Sequence, residues 1–422
     1  MKKIISAIIA LGMTTGCAKE VKTLPANVIT PTTDSESIPV ISDEVETNLK
    51  SADNLILKTR DNVEVYEIMK IGDFVTKTNA EIVNGEEMLD TSELGEKEVT
   101  IELLCDDNKI EKKIKYNVED TTPPVLLNMG NEPYVTQNEP FDLKKIVGYA
   151  DNYDTSPTLT YDGTVDTNTI GTYPITAHVK DSSGNETSWD VTVIVLSKVP
   201  ESEGGEAGTP DYSDGTKFED FISANDGNNR KFGIDVSSWQ GDIDFNAVKN
   251  AGCDFVIIRM GYFYDEIKPD DWYAENIRKA RNAGLEVGVY FYTTLNTADK
   301  VKELAGYINE QLDGQELDFP IAFDWENFNT FQEYGLSIHG LNELFNLFCA
   351  EMENYGYSGM LYSSKNFLKE FWINNYNQPV WLAHYVDETD YKGDYFMWQG
   401  SSTGLIDGID GYVDMNVLYT NK

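Results

Sequence analysis

Histidine and cysteine are scarce in this chain. Its 422 residues include three histidines, His178, His339 and His384, and four cysteines, Cys17, Cys105, Cys253 and Cys349. There is no HExxH, no paired CxxC and no Cys–His pairing at a familiar spacing, which sets zinc hydrolases and cysteine peptidases aside. The cysteines lie far apart and make no disulfide framework; Cys105, Cys253 and Cys349 read as small buried apolar residues. Positive charge is also short: 33 Lys and Arg face 72 Asp and Glu, a net charge of -39. Such a chain repels polyphosphate, so nucleic acid is excluded as a partner. Long hydrophobic runs are missing. Ile4–Met13 is mostly apolar but spans only ten residues, too few to cross a bilayer. Even so, 41% hydrophobic and 12% aromatic residues suffice for packed cores, which excludes wholesale disorder. The length suggests two to four domains.

The first residues read as an export signal. Lys2-Lys3 forms a basic start, Ile4–Met13 an apolar core, and Thr14-Thr15-Gly16-Cys17 a cleavage region. This resembles the bacterial lipoprotein signal, which implies removal of residues 1–16 and lipid on Cys17, with plain secretion as the alternative. A lipid at Cys17 would hold the protein at a membrane, outside the cytoplasm. Residues 17–48 are rich in Thr, Ser, Pro and acidic residues and read as a flexible tether.

Residues 49–197 carry strand signals throughout. Val99–Leu103, Ile114–Val118 and Trp189–Val193 alternate apolar and polar positions. LDTSELGEKEVT (Leu89–Thr100) aligns with VDTNTIGTYPIT (Val165–Thr176) at an offset of 76, a domain length rather than a solenoid period. Two small β-sandwiches in tandem, residues 49–120 and 121–197, are expected. The Asp120–Pro124 junction (DTTPP) and the Asp181–Asn185 turn (DSSGN) resemble those of bacterial immunoglobulin-like surface domains, which implies a spacer or weakly adhesive role. Asp151-Asn152-Tyr153-Asp154 reads as an exposed acidic loop rather than a calcium site, because further oxygen ligands are missing from it. Residues 198–228, rich in Gly, Ser, Glu and Asp, read as a second linker.

From residue 229 the composition shifts to dense aromatics. Buried strands are expected at Phe232–Val236, Phe255–Met260, Val287–Tyr292, Pro320–Trp325 and Met360–Tyr362, and helices at Phe245–Ala251, Tyr273–Ala283, Thr297–Leu312 and Ile338–Tyr355. Gly252, Gly284 and Gly356 fall where helices should end. Three further strands, Val380–Tyr385, Tyr395–Gln399 and Gly411–Leu418, follow with connections too short for helical crossovers. Five βα units and three strands make eight, enough to close an α/β barrel over residues 229–422.

The chemistry of such barrels sits at the strand C-termini, and here the residues at those ends are acidic. Asp235 ends the first strand, Asp324 and Glu326 the fourth, and Asp414 lies in the last. Residues 324 and 326 share one side of an extended strand, leaving Trp325 to face the helices. Carboxylates crowded together raise one another's pKa, and a protonated carboxyl is what glycoside hydrolysis needs for its leaving oxygen. Tyr290, Tyr292, Tyr362, Trp381 and Trp398 stand near the same ends as surfaces for sugar rings.

Phe232–Ser237 with Gln240, Asp254–Arg259, Gly288–Phe291, Pro320–Glu326, Trp381–Ala383, Trp398-Gln399 and Gly411–Asn416, in that order, resemble glycoside hydrolase family 25. The resemblance implies a (β/α)5β3 barrel of TIM type and a lysozyme of the Chalaropsis type, which cuts the β-1,4 bond between N-acetylmuramic acid and N-acetylglucosamine in peptidoglycan. It implies Glu326 as general acid/base and Asp324 as its partner, either as nucleophile or assisting the substrate's acetamido group. It also implies Asp235 and Asp414 as orienting and charge-stabilising groups, and Arg259 with the aromatics as substrate contacts. Tyr290-Phe291-Tyr292 departs from the Tyr-His-Phe of many relatives. No cofactor, no metal and a monomer acting on glycan strands are expected. A barrel that binds wall glycan without cutting it, or another barrel glycosidase such as a chitinase, are the rival readings; the D-x-x-D-x-D-x-E run of chitinases is missing.

Overall fold

The computed structural model describes residues 54–105, 108–127, 133–145, 147–197, 214–372 and 378–420. The signal segment, Cys17 and the tether of residues 17–48 lie outside the described residues.

The two β-rich segments repeat one topology. In the first, the long hairpin Gly95–Cys105 with Asn108–Glu119 is flanked by Asn62–Glu64, parallel to the second hairpin strand, and by Glu81–Ile82. In the second, the hairpin Gly171–Lys180 with Glu186–Leu196 is flanked by Tyr134–Thr136, again parallel to the second strand, and by Thr158–Gly163. The hairpins start 76 residues apart, at Gly95 and Gly171, which is the offset of the sequence repeat. Alternation explains the burial: Ile101 and Leu103 in one hairpin, and Ile175, Ala177, Val193 and Val195 in the other, point into separate small cores. The Asp151–Asp154 loop does not meet its expectation. Asp151 is fully buried, because the second segment packs this loop against the C-terminal domain.

That domain is a closed eight-stranded sheet with helices outside. Its strands are β1 (Arg230–Val236), β2 (Phe255–Phe263), β3 (Glu286–Thr293), β4 (Ile321–Trp325), β5 (Gly359–Ser364), β6 (Val380–Ala383), β7 (Met397–Leu405) and β8 (Val413–Tyr419). Strands β1 to β7 pair in chain order and in parallel; β8 lies antiparallel to both β7 and β1 and closes the ring. The helices α1 (Phe245–Asn250), α2 (Tyr273–Asn282), α3 (Ala298–Leu312), α4 (Ile338–Asn354) and α5 (Lys365–Glu370) follow β1 to β5 in turn. Asp244, Thr297 and Ser337 cap α1, α3 and α4 by accepting backbone N–H bonds. Gly252, Gly284 and Gly356 follow α1, α2 and α4 with positive φ.

Period-two alternation splits the apolar residues between two cores. Val256, Ile258, Val287, Val289, Ile321, Phe323 and Trp325 pack outward under the helices. Phe255, Ile257, Ala322, Met360, Trp381, Met397 and Leu418 fill the inside. Inside, space is short: a Cβ on Gly233 would come within 2.4 Å of the Phe255 ring.

The linker expected to run to residue 228 ends earlier. Thr216-Lys217 adds a parallel strand beside Gly404-Leu405 of β7. The helix Phe218–Asn225 then buries Phe218 and Phe221 against the outside of the barrel. The 218, 221, 222 spacing is helical, but it is embedded in a Gly-, Ser- and acid-rich stretch that masks it.

Candidate active site

The strand registers bring the four acids to one rim. Asp235 on β1 stands opposite Asp414 on β8, and Asp324 on β4 lies between Tyr292 of β3 and Tyr362 of β5. Glu326 follows β4 by one residue, on the same side as Asp324. Trp325 between them turns outward, where its indole N–H donates to the Leu295 carbonyl at 3.1 Å. Asp324 and Glu326 lie close enough for each carboxyl to shift the other's proton affinity, and the Tyr362 hydroxyl acts on Glu326 as well.

Asp235 is the best-held member. Gln399 Nε2 and Asn416 Nδ2 both donate to its Oδ2, at 2.9 and 2.8 Å. Gln399 is oriented in turn by the Tyr362 and Tyr385 hydroxyls, which donate to its Oε1 at 2.8 and 2.9 Å. Trp381 Nε1 donates to Asn416 Oδ1 at 2.8 Å. By contrast Asp324 Oδ1 is buried with no hydrogen-bond partner.

The environment favours protonated carboxyls. Burial pushes Asp235 up to about 6, against the pull of Asn416 and Gln399. Burial, then repulsion from Glu326 and Asp235, holds Asp324 well above the usual carboxylate range. Burial, then Asp235 and Glu326, does the same to Asp414. Glu326 is raised to about 7, first by desolvation and then by Asp235, while its bonds to Asp324 and Tyr362 oppose the shift. Its side chain is exposed to solvent, so the cleft walls crowd it without closing over it. Asp324 and Glu326 therefore titrate as a pair whose surroundings favour the protonated form.

The structure divides the expected sugar contacts. Tyr290 and Tyr292 keep open surface beside the acids. Tyr362 and Trp381 are buried, Trp381 at 1% exposure, and hold Gln399 and Asn416 instead of presenting a stacking face. Arg259 lies near Asp324 and Tyr290, with its guanidinium held by Asp270 at 2.7 Å and Ser238 at 2.9 Å. Trp398 does not belong to the cleft. It alternates outward between Met397 and Gln399, packs against Phe221 and donates to the His384 carbonyl at 2.8 Å. Sequence reasoning gave no role to Gln399, Asn416 or Tyr385, whose polar atoms organise the acids, nor to Trp239, 66% exposed in the turn after β1. A Trp in a polar turn directly after a strand (Ser237-Ser238-Trp239-Gln240) was the available signal.

Residues 234–409 match the family described as glycosyl hydrolases family 25, and residues 126–195 match the family described as bacterial surface protein, Ig-like domain. The chain carries a family 25 domain. The family 25 segment is 32% identical over 188 residues to an autolytic lysozyme of Clostridium acetobutylicum, covering 44% of this chain and 54% of the relative. It is 30% identical over 204 residues to lysozyme M1 of Streptomyces globisporus, covering 44% and 66%. The match thus spans about half the length of the Clostridium relative and two-thirds of the Streptomyces one. Among solved structures, a bacterial lysozyme from Streptomyces coelicolor aligns at 27% identity over 44% of this chain and 90% of its own, with a TM-score of 0.39.

Proposed function

We propose that the family 25 domain is a muramidase that hydrolyses the β-1,4 bond between N-acetylmuramic acid and N-acetylglucosamine. The observation that carries this reading is the convergence of Asp324 and Glu326 with Asp235 and Asp414 at one rim, where burial raises all four carboxyls. Glu326, open to the cleft, donates the pair's proton to the glycosidic oxygen as the bond to the anomeric carbon breaks. That transfer leaves the pair with one negative charge more, beside the positive charge growing on the sugar. A carboxyl that keeps its proton in the resting state is a weak nucleophile. This favours the substrate's own acetamido oxygen as the attacking group, with Asp324 keeping its proton beside the Glu326 carboxylate that the transfer leaves. Asp235, fixed by Gln399 and Asn416, and Asp414 stabilise the cationic sugar. Glu326 then takes a proton from water as the water oxygen bonds to the anomeric carbon and the acetamido oxygen leaves it, which restores the acid.

In this reading the domain is a (β/α)5β3 barrel of TIM type. The shared topology of the two hairpin segments supports a second immunoglobulin-like module over residues 54–119. The export-signal pattern supports a lipid at Cys17 and a place outside the cytoplasm, so that the modules raise a tethered enzyme to glycan strands in the wall. Glu326→Gln should abolish release of reducing sugar from purified peptidoglycan while circular dichroism is unchanged; full activity in that variant ends the assignment. Mass analysis of the muropeptides should show N-acetylmuramic acid at the new reducing ends. Cys17→Ala should move the protein from the membrane fraction to the medium, and an unchanged distribution would remove the anchor.

A further inference from the structure

Away from the catalytic rim, buried negative charge concentrates where the two hairpin segments meet the barrel. Three aspartates from separate places converge there: Asp120 of the DTTPP junction, Asp151 after the strand Tyr149-Ala150, and Asp181 at the head of the DSSGN turn. One carboxylate oxygen of each lies within 4.8 Å of the other two. Their exposures are 6%, 0% and 6%.

Backbone and amide donors hold these groups from one side. Asp151 Oδ2 accepts from the N–H groups of Tyr153 and Asp154 at 2.9 and 2.7 Å. Asp181 Oδ1 accepts from those of Gly184 and Asn185 at 2.6 and 2.8 Å, and its Oδ2 from Asn185 Nδ2 at 2.8 Å. Asp120 Oδ1 accepts from Thr122 N–H at 3.3 Å and Asn152 Nδ2 at 3.2 Å. On the other side Asp120 Oδ2, Asp151 Oδ1 and the neighbouring Asn152 Oδ1 are buried with no partner. The charged groups that act most strongly on Asp120 and Asp151 are the other aspartates of the cluster. Buried carboxylate oxygens without a donor are costly, and a cation among them offsets that cost.

We propose that Asp120, Asp151 and Asp181 form a calcium site, with Asn152 Oδ1 as a further oxygen ligand and water completing the shell. The donors are all oxygen, which selects a hard cation over zinc or copper. Calcium takes six to eight oxygens at about 2.3–2.6 Å, so ligands across its shell lie up to about 5 Å apart, and the observed spacing fits. Magnesium's smaller, stricter octahedron suits three loops of unrelated direction less well. The ion would join three bodies. Asp120 belongs to the junction between the hairpin segments, and Asp181 to the second segment. Asp151 and Asn152 present their backbone carbonyls to the N–H groups of Ile338 (2.7 Å) and His339 (3.2 Å) at the start of α4. Calcium therefore sets the stiffness of the arm that carries the barrel, whatever the barrel's chemistry is.

The test is calorimetric titration of calcium chloride into the chelator-treated full chain, with thermal unfolding in parallel. The expected result is saturable uptake of about one ion per chain, in the sub-millimolar to millimolar range of extracellular modules, and an unfolding midpoint that rises by several degrees with calcium and less with magnesium. Asp151→Asn and Asp181→Asn should each weaken uptake by about tenfold or more. No saturable uptake at millimolar calcium, undiminished uptake in both variants, or an equal shift with magnesium overturns the proposal. Should a variant lose its native circular dichroism, the wild-type chain decides: an identical midpoint in chelator and in calcium overturns the site, and a rise specific to calcium upholds it.

Discussion

At the scale of single residues, the cleft is governed by where protons sit. The raised carboxyls are groups the folded state holds protonated and the unfolded chain, with carboxylates near 4, releases. Their contribution to stability is fully present below about pH 4 and is lost as pH rises through the folded values, about 6 for Asp235 and about 7 for Glu326. The barrel's melting midpoint should therefore fall between pH 5 and pH 8, measured by scanning calorimetry. Asp324→Asn removes a buried charge-forming group whose Oδ1 has no partner. At pH 8 it should raise the midpoint by ~2–4 °C while sharply reducing turnover, and a destabilised variant at that pH would contradict the account. The same shift sets the rate profile. Activity should decline above about pH 7 as Glu326 loses its proton, and a rate that keeps rising past pH 8 would contradict the acid role.

At the scale of elements, the barrel depends on pieces that look dispensable in the sequence. The helix Phe218–Asn225 covers Trp398 with Phe221, and the strand Thr216-Lys217 extends the sheet at β7. A barrel starting at residue 229 should therefore be less stable than one starting at 214, and Phe221→Ala alone should cost about 3–5 kcal/mol in urea unfolding. Inside the ring, Gly233 leaves room for Phe255. Gly233→Ala overpacks that layer and should cost about 1–3 kcal/mol. Because β1 also carries Asp235, its kcat should fall along with its stability. Gln399→Ala and Asn416→Ala should leave binding of glycan fragments nearly unchanged and lower kcat, since both residues act through Asp235.

At the scale of the whole molecule, the modules before the barrel touch it directly. Gln332 Nε2 donates to the Lys144 carbonyl at 3.1 Å, and Tyr66 of the first segment stacks on His339 of α4 with ring centroids 3.4 Å apart. The arm is thus packed against the side of the barrel that carries α4, and the acids open at the strand ends. Deleting residues 54–197 should preserve the rate on soluble glycan fragments and lower it on intact sacculi at low enzyme concentration. Equal loss on both substrates would mean that the arm supports the barrel's fold rather than its reach.

What the amino-acid order determined by itself was periodic and local. The alternation of strands with helical stretches, the glycines after α1, α2 and α4 and the two acids flanking Trp325 on β4 were all legible, because hydrophobic period and turn chemistry act over a few residues. The offset of 76 likewise announced two hairpins of one topology. Only the tertiary structure decided what depends on distant pairing. Trp398 faces away from the cleft because β7 alternates with Met397 and Gln399 pointing in. The start of the barrel lies near residue 214 because Phe218 and Phe221 find an apolar wall supplied from the far end of the chain. Asp120, Asp151 and Asp181, dispersed over sixty residues and each unremarkable in its own turn, become a buried cluster once three loops close on one point. Side-chain proximity across separate elements is set by packing, and no local pattern encodes it.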